Sequence, residues 1–191
     1  MNNHQEYGFV DLGLPSGSLW ATCNVGAEKP EDCGNYYAWG ETETKPIYDR
    51  DEYEFLDYFG GFLTKYNEKD GLLTLQSVND AATVNWGEGW RMPTMADAEE
   101  LINNCHHSWV KRNNVEGSLY TAPNNNSIFL PAGGYKFLGT FAKDKCFYWL
   151  KTIRPEDKTT AMILFNSEDG TKVSYSERKL GLLIRPVCST K

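Results

Sequence analysis

Apolar positions come in short runs broken by Gly, Pro, Asn and Asp, and the period changes along the chain. In "FVDLGLPSGSLW", from Phe9 to Trp20, two apolar runs flank Pro15-Ser16-Gly17, which predicts strand, turn, strand. A loop follows, carrying the rings Tyr36, Tyr37 and Trp39, and then the acidic, aromatic stretch 43–70. Two helices of about ten residues each come next. Ser77-Val78-Asn79-Asp80 and Thr94-Met95-Ala96-Asp97 both read as capping boxes. Ala98, Leu101, Ile102 and Cys105 fall at helical spacing and predict one buried stripe, with Glu99, Glu100 and Asn103 opposite. From about Lys111 the pattern turns to β: "SIFLPAGGY", "KCFYWLK", "TTAMILFN", "TKVSYS" and "LGLLIRPV" are rich in β-branched and aromatic residues. Pro131 and Pro186 mark strand ends. Strands, then helices, then strands predict an α+β fold in a single domain, 1–191, with its core over about 9–188.

Composition narrows the function. A hydrophobic content of 40% over 191 residues is enough for a buried core. A formal charge of −7, with no Lys/Arg run, argues against nucleic acid and anionic membranes as partners. No apolar stretch approaches the ~20 residues of a membrane helix, so no membrane insertion is expected. "MNNHQEYGFVDLG" shows no basic segment followed by an apolar one, so no signal peptide is expected.

Candidate chemistry is sparse. The five cysteines include no C-x-x-C, which predicts buried thiols, with a Cys23–Cys33 bridge left open. His106-His107 follow the second helix, and neighbouring side chains there diverge rather than share a metal; His4 falls in a frayed terminus. Asp49, Asp51, Glu52, Glu54 and Asp57 crowd together without the D-x-[DN]-x-[DN]-G spacing of a calcium loop, and read as a solvated loop with its rings pinned to the body. No cofactor is predicted; Ca²⁺ is the one ion left open. In "WGEGWRMPT", 86–94, glycines let the chain turn between two indoles, Pro93 ends the extended run and Thr94 caps the helix. Arg91 is expected to pair with an acid or donate to carbonyls. The stretch reads as a corner that sets the second helix against the sheet.

"VDLGLPSGSLWATCNVGA", "NYYAWGET", "LTKY", "NDAATVNWGEGWRMPT", "SIFLPAGGY", "YWLKT" and "LGLLIRPV" occur in that order from about Val10 to Val187. Together they resemble the Fibrobacter succinogenes major paralogous domain, common in gut Bacteroidetes. The resemblance implies a C-type lectin-like fold of the sulfatase-modifying-factor type, with two helices on small mixed or antiparallel sheets, adjacent chain ends and long loops. It also implies a surface protein or phage adhesin. Formylglycine-generating enzymes of that fold bind copper through a close cysteine pair; Cys146 and Cys188 are far apart in sequence, so that activity is not implied. The chain departs from the family at Leu150-Lys151, where a serine is expected after "YW", and at Gly133, where an alanine is expected.

The expected function is a non-catalytic module binding a surface glycan or protein through loops 113–127, 154–160 and 166–179, rich in Asn, Tyr and Ser. The candidate ligand-binding residues are Tyr120, Asn124, Asn125, Asn126, Trp149, Lys151, Tyr175 and Arg178. Trp20, Trp39, Trp86, Trp90, Arg91, Pro93, Thr94 and Arg185 are assigned to the scaffold. Two alternatives stand beside it: an enzyme with an acidic-aromatic cleft from 43–70 beside the helices, or a structural subunit of a surface assembly.

Overall fold

The computed structural model describes residues 7–57 and 59–189. His4 lies outside the described residues. In chain order the elements are β1 (Phe9–Val10), β2 (Ser18–Ala21), a 3-10 turn (Ser77–Asn79), α1 (Ala81–Trp86), β3 (Trp90–Arg91), α2 (Met95–Asn104), β4 (His106–Arg112), β5 (Val115–Thr121), β6 (Ser127–Pro131), β7 (Tyr135–Lys136), β8 (Thr140–Phe141), β9 (Cys146–Ile153), β10 (Thr160–Ser167), β11 (Gly170–Glu177) and β12 (Val187–Ser189).

They form small antiparallel sheets with two helices, ordered β1-β2-β12-β3, β11-β10-β9, β4-β5-β6 and β7-β8. The predicted first hairpin is present: Val10 pairs with Trp20, and the turn closes through Gly17 N to Leu14 O at 2.9 Å. β12 pairs with the other side of β2, Val187 against Trp20, so the first and last strands flank one residue.

One core cluster runs from Leu12 to Cys188 and includes Trp20, Trp39, Trp90 and Trp149. Its indoles serve as cross-braces. Trp39 Nε1 donates to Leu150 O and Trp149 Nε1 donates to Tyr37 O, both at 2.8 Å. Each fixes loop 36–39 to β9 and satisfies a buried donor. Arg185, 1% exposed, has four contacts: Nε to Asn24 Oδ1 (2.8 Å), Nη1 to Ala21 O and Thr22 O (3.1 Å each), and Nη2 to Phe129 O (2.9 Å). It ties β2 to β6.

The corner at 86–94 is built as the sequence predicts. Thr94 caps α2 with a complete capping box to Asp97, and Arg91 pairs with that same carboxylate and donates to Met92 O. Trp86 and Trp90 meet edge to face at 5.1 Å, and the buried Pro93 accepts Lys151 N through its carbonyl. Ala98, Leu101 and Cys105 are buried, with Ile102 half-buried.

Three expectations are corrected. Ser77 does not cap a helix: 77–79 is a 3-10 turn, and Asp80, fully buried, caps the six-residue α1 through Ala82 N and Thr83 N. A buried carboxylate satisfies those donors better than an exposed serine could. β structure begins at His106, not near Lys111, so the two histidines lie on a strand. And neither 113–127 nor 166–179 is a loop: Asn113 and Asn114, with φ of 47° and 66°, make a two-residue hairpin turn from β4 into β5, with Arg112 opposite Val115, and 166–179 is largely the end of β10 and β11, paired through Ser167 and Gly170.

Candidate binding cleft

The acidic stretch 43–70 is anchored by its rings. Tyr48, Tyr53, Phe55 and Tyr66 are buried, and Tyr53 Oη donates to Trp39 O at 2.8 Å. Tyr53, Phe55 and Tyr66, with Trp39, enclose Arg178, just past β11. Its guanidinium lies 4.8 Å from the Trp39 ring centre and 5.4 Å from that of Tyr53, with Phe55 and Tyr66 at 5.9 Å. Nε donates to Tyr53 Oη (2.8 Å), Nη1 to Tyr66 O (3.2 Å) and Lys158 O (3.0 Å), and Nη2 to Lys65 O (3.1 Å). Among the described residues no carboxylate pairs with it. Its charge is held by ring faces and carbonyl dipoles. Burial pushes the Tyr53 phenol up, against the pull of Arg178, so it stays neutral.

Above this arginine lies a cleft of about 410 Å³. One wall is Tyr53, Leu56 and Leu63; the other is Asp157, Thr159 and Thr160. Asp157 accepts from Thr159 N (3.0 Å) and Oγ1 (2.6 Å), and these bonds hold its carboxyl below the usual range. Lys179 pairs with Glu177 at 2.7 Å. Arg50 is exposed at the mouth and, among the described residues, its side chain has no hydrogen bond or ion pair. It lies close over Gly61, where a Cβ would be 3.1 Å from Nη2. The cleft has no helical residue in its lining, so the acidic-aromatic stretch does form a cleft, but against the β10–β11 strand ends rather than beside the helices.

The eight predicted ligand residues do not converge. Tyr120, Trp149 and Arg178 are at most 1% exposed, which corrects the placement of Tyr120 and Arg178 on loop surfaces and of Trp149 among exposed ligand contacts. Tyr120 Oη bonds Asn166 Oδ1 and Thr171 Oγ1, joining two sheets. Asn124 and Asn126 are exposed, but both amides donate to Asp11 O (3.0 and 2.7 Å), which pins the β5–β6 turn to the first hairpin. Asn125 takes the left-handed turn position, φ 65°. Lys151 is held 3.0 Å from Asp80. Tyr175 is exposed on β11 with the Arg154 guanidinium stacked 3.7 Å from its centre. Of the eight, Arg178 alone lines the cleft. The expected binding loop 154–160 does supply Asp157, Thr159 and Thr160, although none was singled out, and Arg50, which carries no motif, was missed.

A second hollow, about 540 Å³, lies beside the helices at Val78, Trp90, Arg91 and Lys151, but both of its cations are committed to internal carboxylates. A thiol and an imidazole are linked through Ser118, between the fully buried Cys146 and the half-buried His107. His107 Nε2 is 3.0 Å from Ser118 Oγ, and Cys146 Sγ lies 4.0 Å beyond and bonds Leu130 O. Burial pushes the Cys146 thiol up to about 12, so thiolate is scarce at neutral pH. Among the described residues no three His, Cys, Asp or Glu side chains gather as a metal site. No family model, no curated protein and no solved structure matches the chain.

Proposed function

We propose that the chain is a non-catalytic ligand-binding module on a C-type lectin-like scaffold of the Fibrobacter succinogenes major paralogous type. The cleft at Tyr53, Leu63 and Thr159 is its binding site, and a surface glycan or protein is its ligand. Two features support the scaffold: the closure of first and last strands around Trp20, and the capped α2 beside small antiparallel sheets. The cleft carries the functional reading. Its volume of about 410 Å³ falls within the ~300–1,000 Å³ of small-molecule sites, and it sets an apolar wall against hydroxyl, carboxylate and guanidinium groups.

The test is a glycan array run with the native chain and with Thr159→Trp, an exposed position whose indole would fill the cleft. Binding by the native chain, lost in the variant at unchanged melting temperature, is the expected result. A native chain that takes no glycan and no surface protein, or a variant that binds equally well, would overturn the proposal.

A further inference from the structure

We infer that the ligand of this cleft is an acidic saccharide, whose carboxylate or sulfate is taken by Arg50; this rests on the cleft being the binding site. Three observations converge. First, Arg50 presents a guanidinium fork at the mouth that has no side-chain partner among the described residues, and such a fork matches the paired oxygens of an oxyanion. It sits close to Gly61 within the cleft lining, Nη2 lying 3.1 Å from where a Cβ would stand.

Second, the local charge opposes that of the chain. A further hollow of about 450 Å³ shares Leu63 with the cleft and is lined by Phe62, Lys69 and Lys158. Across both hollows five basic side chains face three acidic ones, although the whole chain carries −7. One of the five is Arg178, whose charge no carboxylate among the described residues neutralises. The anion is thus drawn to this face.

Third, the walls suit sugar rings. Leu56, Leu63 and the half-exposed Phe62 offer flat apolar area, while Thr159 and Asp157 offer a hydroxyl and an acceptor to sugar hydroxyls. Two adjoining hollows, each with apolar area and a cation, fit two successive units of an acidic oligosaccharide. Lys158 and Lys69 serve the second unit as Arg50 serves the first.

The experiment is calorimetric titration with trigalacturonate, its methyl ester, a sulfated trisaccharide and maltotriose. Saturable binding of either acidic probe is expected, about tenfold or more weaker for Arg50→Gln and for the methyl ester, and weakening as salt rises. Which acidic probe binds identifies the anionic group. Arg50 is exposed, so its variant should keep the native melting temperature. If maltotriose binds and the acidic probes do not, and Thr159→Trp abolishes that binding, the module reading survives and the acidic inference fails. Acidic binding indifferent to Arg50→Gln also sinks the inference. Binding of no probe overturns it as well, while the wider glycan array still judges the module reading.

Discussion

Arg91 and Asp97 form a two-pronged ion pair, Nη1 to Oδ2 at 2.7 Å and Nη2 to Oδ1 at 3.0 Å. The same carboxylate accepts from Thr94 N at 2.7 Å and from Ser18 Oγ at 2.9 Å, so one acid ties β2, β3 and α2 together. Burial pushes the Asp97 carboxyl up, but the Arg91 and Thr94 bonds outweigh it and hold it at about 2, against 3.8 unperturbed. The folded carboxyl therefore titrates below the unfolded one. Its contribution is present above the unfolded value and fades as pH falls from about 4 to about 2. A loss of up to about 2 kcal/mol is expected over that window in denaturant titrations. Asp97→Asn should lower stability at neutral pH and flatten the profile below about pH 4.

Arg185→Met should be severely destabilising, by about 3–5 kcal/mol, because it leaves four buried acceptors on Asn24, Ala21, Thr22 and Phe129 without their donor. Arg185→Lys should recover little of this, since one ammonium cannot span β2 and β6. Urea midpoints at constant slope give the measurement; a loss below 1 kcal/mol, roughly that of an ordinary surface change, would contradict the bracing role.

Much of this was legible where the cause is local. Thr94 and Asp97 are three residues apart, and their box reads directly from the sequence. Ser77-x-x-Asp80 misled because its last member, not its first, is the cap: Asp80 is sequestered by Met92 N and Lys151, partners 12 and 71 residues away. β4 was obscured because its middle four residues are half-buried on both faces, which erases the alternation that marks a strand. The Asn113-Asn114 pair was the available signal for the hairpin. In the cleft, Tyr48, Tyr53, Phe55 and Tyr66 read correctly as pinned while Phe59 and Phe62 are exposed, and Arg178 draws its contacts from residues up to 125 positions away. No local pattern encodes that.

Gly133, the position where the resembled family has alanine, is explained by crowding. A Cβ there would lie 2.7 Å from Leu183 Cδ1, 2.9 Å from Cys33 Sγ and 3.0 Å from Tyr36 Oη, which donates to the Gly133 carbonyl. Gly133→Ala should cost about 1–3 kcal/mol as these side chains shift. Pairing it with Cys33→Ala should recover part of the loss, because that change clears one of the three contacts. Leu150, the other departure, is fully buried in β9.

The thiols should separate by access. Cys23 and Cys33 are half-buried, whereas Cys105, Cys146 and Cys188 are buried. Burial raises Cys33, Cys105, Cys146 and Cys188, the last to about 11. Iodoacetamide on the native chain should therefore label Cys23 most readily and leave Cys146 and Cys188 intact until denaturant is added, as read by mass spectrometry of peptides. Rapid native labelling of Cys146 would mean that the core opens locally.

Trp20 has Val10 on one side and Val187 on the other, so β1 and β12 are held apart by a single shared strand. Both run antiparallel to β2, so the chain enters β1 level with Ala21 and leaves β12 level with Ser18, at opposite ends of the shared strand; a circular permutant reopened at Asn113-Asn114 would need a linker that runs back along β2 to leave every ladder intact. By the same geometry a host protein would have to offer two attachment points that straddle this strand, rather than one tight turn.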